Sequence, residues 1–75
     1  MELKDFIENF AGEFDETPID AFAPETEYKT LDEWNSLTAL SIIAMVDDIY
    51  NKTITGANLR ACTTIEDLFN CIAAL

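Results

Sequence analysis

Asn35 and Ser36 are the residues of this chain best placed for a chemical role. They directly precede an apolar run from Leu37 to Val46. Short polar residues at such a boundary act as helix N-caps, because their side-chain oxygens accept hydrogen bonds from unpaired N–H groups of the first turn. The Ser36 hydroxyl is therefore expected at, or within one residue of, the positive end of a helix dipole, which suits a phosphodiester. A serine at a helix start is a cap and nothing more in the large majority of cases, and local chemistry alone does not overturn that interpretation.

Other chemistries are excluded by what the sequence lacks. The chain contains no histidine, so histidine general-base catalysis and histidine metal ligation are excluded and Ser36 has no such base to activate it. Its two glycines cannot form a glycine-rich phosphate loop. Neither Asp15-Glu16 nor Asp47-Asp48 has the alternating ligand spacing of a calcium loop. The sequence thus predicts no catalytic residue, no metal site and no enzymatic activity.

The wider pattern resembles that of an acyl carrier protein. The chain is strongly acidic, has 75 residues and carries Asn-Ser-Leu at the start of its central amphipathic helix. In that family the signature is Asp-Ser-Leu, and the serine carries a 4'-phosphopantetheine arm through a phosphodiester. Ser36 and Leu37 match the signature, whereas Asn35 departs from it by keeping the cap without the negative charge. Three further segments are similar to the family pattern: Leu31–Trp34 before the serine, Asp47-Asp48 late in the second helix, and Thr63–Leu68 at the start of the last helix.

The charge of the chain bears on its partners. Fifteen acidic residues against four basic ones give a net charge of −11. This argues against nucleic acid and anionic membranes, which are polyanions, and favours docking on basic patches of other proteins. The charge is also explained if it merely keeps a small domain soluble. Because 49% of the residues are apolar, a folded domain is expected instead of a disordered acidic tail.

The second helix is predicted from Asn35 or Ser36 to about Asn51, and it is apolar round much of its circumference. So much apolar surface in a small protein indicates more than core packing. We expect Leu37, Leu40 and Met45 to form a partly exposed partner surface that ends in Asp47 and Asp48. The family often has acidic residues soon after the serine, where this chain has Thr38 and Ser41. Partner recognition is therefore expected to depend less on charge at the serine end.

The remaining elements follow from periodicity and from helix-breaking residues. A first helix is predicted from Glu2 to about Phe14, with its apolar side chains on one face. Residues 15–35 are predicted to be a long connection, because the residue before a proline avoids helical angles and prolines stand at positions 18 and 24. A short turn of helix is predicted at residues 19–23. The apolar anchors expected to hold this connection to the core are Ile19, Phe22, Tyr28 and Leu31.

The sequence predicts two more helices after the second one. Ile54 is expected in the core, and a short third helix is expected around Ala57 to Ala61. Thr63 and Glu66 have the spacing of a capping box that opens a closing helix. The apolar face of that helix is expected to contain Ile65, Leu68, Phe69, Ile72 and Leu75. Together the elements predict a single all-α domain over residues 1–75, a small four-helix bundle with three main helices, a short third helix and a long loop between helices 1 and 2.

The resemblance implies a function for this fold. Ser36 would carry 4'-phosphopantetheine, with Asn35 and Leu37 beside it, and the arm would hold acyl groups as thioesters for fatty-acid or polyketide-type enzymes. In the family the cleft between the second and third helices admits the acyl chain, which makes Ile54, Ala57 and Leu59 candidates near it, although ordinary core residues are the alternative. The implied partners are a phosphopantetheinyl transferase and acyl-chain synthesis and transfer enzymes, which act on a monomer.

An alternative function also fits the residues, namely an unmodified acidic helical interaction module in which Ser36 is only a cap. Under either function Cys62 and Cys71 are expected to be free thiols in a reducing compartment. Met1 leads directly into charged residues and no apolar run approaches spanning length, which predicts a soluble cytoplasmic protein without a membrane partner.

Overall fold

Four α-helices account for the architecture of the computed structural model, which describes residues 1–75. They are α1 (Leu3–Ala11), α2 (Ser36–Tyr50), α3 (Gly56–Ala61) and α4 (Ile65–Ala73). α1 contacts both α2 and α4, and α3 also contacts α2 and α4, so the helices surround a common core. The radius of gyration is 10.9 Å. The predicted all-α class is confirmed. None of these helices combines the length and the apolarity that crossing a membrane requires.

The core is entirely apolar. Fourteen side chains are buried and none of them is polar or charged at its tip apart from the Tyr28 hydroxyl. α1, α2 and α4 each supply three core residues on one face, as amphipathic helices do, and α3 supplies one. The contributing residues are Phe6, Phe10 and Ala11 from α1, Ile42, Met45 and Val46 from α2, Leu59 from α3, and Ile65, Leu68 and Ile72 from α4. The others, Phe14, Phe22, Tyr28 and Ile54, lie between helices.

The first helix is shorter than predicted, because it ends at Ala11 instead of about Phe14. Gly12 follows the last helical residue, and glycine carries a large entropy cost inside a helix. The chain then continues in tighter turns, with the N–H of Glu13 donating to the Phe10 carbonyl and the N–H of Phe14 donating to the Ala11 carbonyl. These turns keep Phe14 buried although it lies outside α1.

The connection between α1 and α2 contains two single turns of 3-10 helix, Ile19–Ala21 and Tyr28–Thr30. The predicted anchors Phe22 and Tyr28 are buried, and Leu31 packs half-buried against the core. The prediction for Ile19 was wrong, since its side chain is 62% exposed. One turn of 3-10 helix has no second turn to extend its inner face, and Phe22 occupies the core position here.

Backbone hydrogen bonds hold the connection against the C-terminal half of the chain. The N–H of Ile65 donates to the Thr26 carbonyl at 3.1 Å, and the N–H of Glu66 donates to the Pro24 carbonyl at 2.9 Å. Two first-turn donors of α4, which have no partner within their own helix, are thereby satisfied by the connection. The buried Tyr28 hydroxyl donates to the Leu59 carbonyl at 2.6 Å, and burial raises the pKa of this hydroxyl far above its ordinary value.

α2 and α3 begin and end within about one residue of their predicted positions, whereas α4 ends at Ala73, two residues before the predicted Leu75. α2 begins at Ser36 and is closed by Asn51 in the left-handed conformation, with φ 57°, which asparagine tolerates better than most residues. α3 begins one residue earlier than predicted, at Gly56. The capping box of α4 is shifted by one residue, because Thr64 and Asp67 form it instead of Thr63 and Glu66. Leu75 was wrongly assigned to the apolar face of α4, since it lies past the helix and is 57% exposed.

The Tyr28→Phe variant tests the link between the connection and α3. It removes the only hydroxyl that reaches the Leu59 carbonyl and leaves that carbonyl without its partner. We expect a loss of about 1–2 kcal/mol in the free energy of unfolding, measured by urea denaturation. Tyr50→Phe makes the same chemical change at a partly exposed hydroxyl that accepts from Asn9, and a smaller loss is expected there. Equal stability of the Tyr28→Phe variant and wild type would contradict the proposed importance of this bond.

Candidate functional site

Ser36 is the first residue of α2, as predicted to within one residue, and its side chain is exposed. The capping residue is Asn35, whose backbone is extended and whose Oδ1 accepts the N–H of Thr38 at 3.0 Å. The Asn35 carbonyl also accepts the N–H of Ala39, the first intrahelical bond. Because Asn35 makes the cap, the hydroxyl of Ser36 is not needed for it.

Trp34 fixes the approach to this helix start. Its indole lies half-buried, with its centroid 4.9 Å from the Tyr28 ring and 6.5 Å from the ring of Phe10. Aromatic pairs at such separations add to the stabilisation from area burial. The residue two positions before Ser36 is therefore held in the core, so the position of the serine is set by packing and not by the helix alone.

The side chain of Glu33 also fixes the segment that leads into α2. Its carboxylate accepts the N–H of Asp15 at 3.1 Å and the N–H of Glu16 at 3.0 Å, and it also accepts the N–H and the hydroxyl of Thr17. These bonds, led by the one from the Thr17 hydroxyl, lower the pKa of the Glu33 carboxyl below its ordinary value. The side chain thus links the segment after α1 to the start of α2.

A groove of about 340 Å³ opens between α2 and α3, and Ser36 is part of its wall. Its apolar walls are Trp34, Ala39, Leu40, Ile43 and Leu59. Ser36, Ala39, Leu40 and Ile43 lie three, four and seven residues apart, so they share one face of the helix. The exposed hydroxyl therefore stands at the edge of a partly apolar cleft.

Of the three residues predicted near the cleft between the second and third helices, one lies in this groove. Leu59 lines the groove, but Ile54 is a core residue with 2% exposure and Ala57 faces solvent outside the groove. The helical spacing of the residues from Ser36 to Ile43 is the sequence signal that identifies the α2 wall of the groove. Gly56, Lys29 and Arg60 also line it, and no local pattern brings Lys29 next to a residue 31 positions later.

An exposed stripe runs along the outer face of α2. Leu37 is 73% exposed and Leu40 is 61% exposed, and the stripe continues through the exposed Ala44 to Asp47 and Asp48. The prediction for Met45 was wrong, because that side chain is 5% exposed. Met45 lies three residues after Ile42 and next to Val46 on the buried face, whereas Ala44 occupies the corresponding place on the outer stripe.

Both cysteines are free, as expected, and both are half-buried. Burial, together with the neighbouring Cys71, raises the pKa of the Cys62 thiol above its ordinary value. A raised pKa leaves little reactive thiolate at neutral pH, so Cys62 acts as a small apolar side chain packed against the core.

Comparison of the chain with protein-family models, with curated proteins and with solved structures finds no match.

Asn35→Ala and Ser36→Ala should differ in stability, because Asn35 makes the cap. We expect Asn35→Ala to lower the free energy of unfolding by about 1 kcal/mol and Ser36→Ala to change it by less than about 0.5 kcal/mol, as for an exposed position. Urea denaturation of both variants provides the measurement. A larger loss in Ser36→Ala than in Asn35→Ala would overturn the assignment of the cap.

Glu33 should make the stability of the chain depend on pH. The pKa of the Glu33 carboxyl is lower in the folded chain than its ordinary value of 4.5. The ionised side chain therefore stabilises the folded state at pH values above the unfolded pKa, and this stabilisation is lost as the pH falls through the folded pKa. Asp67, whose carboxyl pKa is lowered by hydrogen bonds from the backbone of Thr64 and Thr63, contributes with the same sign.

We therefore expect Glu33→Gln to lower the urea midpoint at neutral pH and to reduce the loss of stability on acidification. Glu13→Gln, at an exposed glutamate, is the matched control. Its stability should depend on pH as that of wild type does. Parallel acid profiles for Glu33→Gln and wild type would show that the Glu33 bonds do not stabilise the fold.

Proposed function

We propose that this chain is an acyl carrier protein in which Ser36 carries a 4'-phosphopantetheine arm. The thiol of that arm holds acyl groups as thioesters and presents them to fatty-acid or polyketide-type enzymes. The proposal extends to the fold, taken as the carrier type of four-helix bundle with a short third helix and a long loop before α2. The chain itself catalyses no reaction and acts as a monomer.

The observation that carries the proposal is the placement of the Ser36 hydroxyl. It is exposed at the first residue of the longest helix, it is not needed for the cap that Asn35 makes, and it adjoins a partly apolar groove. A serine modified by another enzyme needs an accessible hydroxyl, and a phosphodiester is favoured near the positive end of a helix. The residues present therefore fit the arm.

The modification must be performed by a second protein. The chain has no histidine to accept a proton from Ser36, and an unactivated hydroxyl is a weak nucleophile. A phosphopantetheinyl transferase that docks beside Ser36 supplies the missing base. What this chain supplies is the accessible oxygen, its fixed position behind Trp34, and a surface for docking.

The exposed stripe of α2 supports the docking role. Leu37 and Leu40 place two large apolar side chains in solvent next to Ser36, and exposed apolar patches are typical of interaction sites. Asp47 and Asp48 follow at the far end of the stripe. We propose that partners make apolar contacts near the serine and place basic residues near this acidic end, where charge raises the rate of encounter.

The same stripe also supports the second candidate function, an unmodified acidic interaction module. In that case Leu37 and Leu40 contact a partner directly and Ser36 only begins the helix. Both functions use the same surface, so a binding experiment does not distinguish them. Modification of Ser36 does.

The chain offers a well-controlled test, because Ser36 and Ser41 are its only serines. Ser41 lies in the same helix and donates to the Leu37 carbonyl. We expect incubation with coenzyme A and a broad-specificity transferase to add the mass of one phosphopantetheinyl group to wild type and to Ser41→Ala, and none to Ser36→Ala. Intact mass spectrometry gives the result.

The absence of any mass gain with several transferases, on a chain shown by circular dichroism to be helical, would refute the carrier function. A gain that persists in Ser36→Ala would refute the attachment site alone. In the first case the interaction module becomes the favoured function.

A further inference from the structure

The charges around the groove differ from those of the rest of the chain. Fifteen residues of the chain are acidic and four are basic, yet none of the acidic ones lines the groove, whereas Lys29 and Arg60 both do. The other cavity of the fold shows the opposite distribution, since its lining includes Glu16, Asp32 and Glu33 and no cation. Half of the basic side chains of an acidic chain are therefore gathered at the groove that contains Ser36.

The fold brings together the two segments that carry these cations. The ammonium of Lys29 donates to the backbone carbonyl of Arg60 at 2.7 Å, which brings the long connection against the last turn of α3. The guanidinium of Arg60 lies against Gly56, where a Cβ would come within 3.2 Å of one guanidinium nitrogen. Lysine has three donors and arginine five, so most of these donors remain for a ligand.

We propose that Lys29 and Arg60 form an anion subsite that holds the phosphodiester of the arm on Ser36. This inference rests on the carrier function proposed above. A phosphodiester has two unesterified oxygens that share one negative charge, and a guanidinium can donate to both in a bidentate pair. Of all the groups in the arm, this one is bonded directly to Ser36, so it is the anion that must lie closest to the groove.

The energetics favour such a subsite only because the anion is tethered. An exposed ion pair contributes little, and a free phosphodiester would bind the two side chains weakly. Attachment to Ser36 makes the contact intramolecular and supplies a high effective concentration. The subsite would direct the first part of the arm along the walls formed by Trp34 and Leu40, and the neutral Asn35 adds no competing charge beside it.

The composition of the chain makes this contact directly observable. Arg60 is its only arginine and Trp34 its only tryptophan, so the side-chain Nε–H of Arg60 and the indole N–H of Trp34 each give one resonance in a proton–nitrogen NMR spectrum. We expect loading of the arm, verified by intact mass, to shift both resonances. The Arg60 shift should diminish at about 1 M salt, where the Debye length falls to about 3 Å.

A matched pair of variants separates the subsite from general charge effects. Lys29→Gln combined with Arg60→Gln removes both groove cations, and Lys4→Gln combined with Lys52→Gln makes the same change in net charge outside the groove. In the loaded protein we expect the first pair to move the phosphorus-31 resonance towards that of the same phosphodiester in the urea-unfolded loaded protein, and the Trp34 resonance towards its position in the unloaded protein. The second pair should leave both unchanged. Arg60→Lys, which keeps the charge, should restore part of the effect.

Each outcome decides the inference. A loaded protein in which the Arg60 resonance coincides with that of the unloaded protein, or in which both variant pairs behave alike, overturns the subsite and leaves the carrier function intact. A chain that no transferase loads refutes the carrier function and the subsite with it. Loading together with a salt-sensitive Arg60 shift that the control pair preserves establishes the subsite.

Discussion

The packing of aromatic rings around Phe10 is the constraint on which the rest of this structure depends. Its ring centroid lies 5.5–6.5 Å from those of Phe6, Phe14, Phe22, Tyr28 and Trp34. Only Phe6 shares α1 with it, and the other four belong to the segment between α1 and α2. A segment with so little regular structure would otherwise be expensive to order. Burial of these rings offsets that cost and turns the connection into part of the core.

The aromatic packing also fixes the site, because Trp34 packs against the core and lines the groove. Its indole meets the Tyr28 ring edge to face and lies parallel to the Phe10 ring, and the side chain also forms part of the wall beside Ser36. The hydrogen bonds that Glu33 accepts from residues 15–17 hold the preceding residue from the opposite direction. The start of α2 is therefore fixed by tertiary contacts before the helix begins. The proposed carrier function would use this fixed start of α2, because a modified serine has to be presented to partners at a constant position.

How far the sequence predicts this structure depends on the range of the interaction involved. The start of α2 was predictable from Asn35 and Ser36, because capping is a local interaction between neighbours. The capping box of α4 was misplaced by one residue, since Thr63 and Thr64 offer equal local chemistry and the backbone bonds from Ile65 and Glu66 to the connection select the second. Ile19 and Met45 were misassigned because hydrophobicity alone does not reveal which face of a turn meets the core. The groove cations were not predictable, since Lys29 and Arg60 meet only after the connection has folded onto α3.

The neutral side chain of Asn35 and the cations of the groove both keep negative charge low around Ser36. An aspartate at position 35 would cap α2 equally well, because asparagine and aspartate rank together as N-caps. It would also place a carboxylate one residue from Ser36, where it would repel an anion attached to the serine. Asparagine keeps the bond to the Thr38 N–H and omits that charge. In a chain with a net charge of −11, the groove beside Ser36 is thus kept free of acidic side chains at every position that lines it. Capping and charge are therefore separable at position 35, since asparagine supplies the cap and leaves out the negative charge.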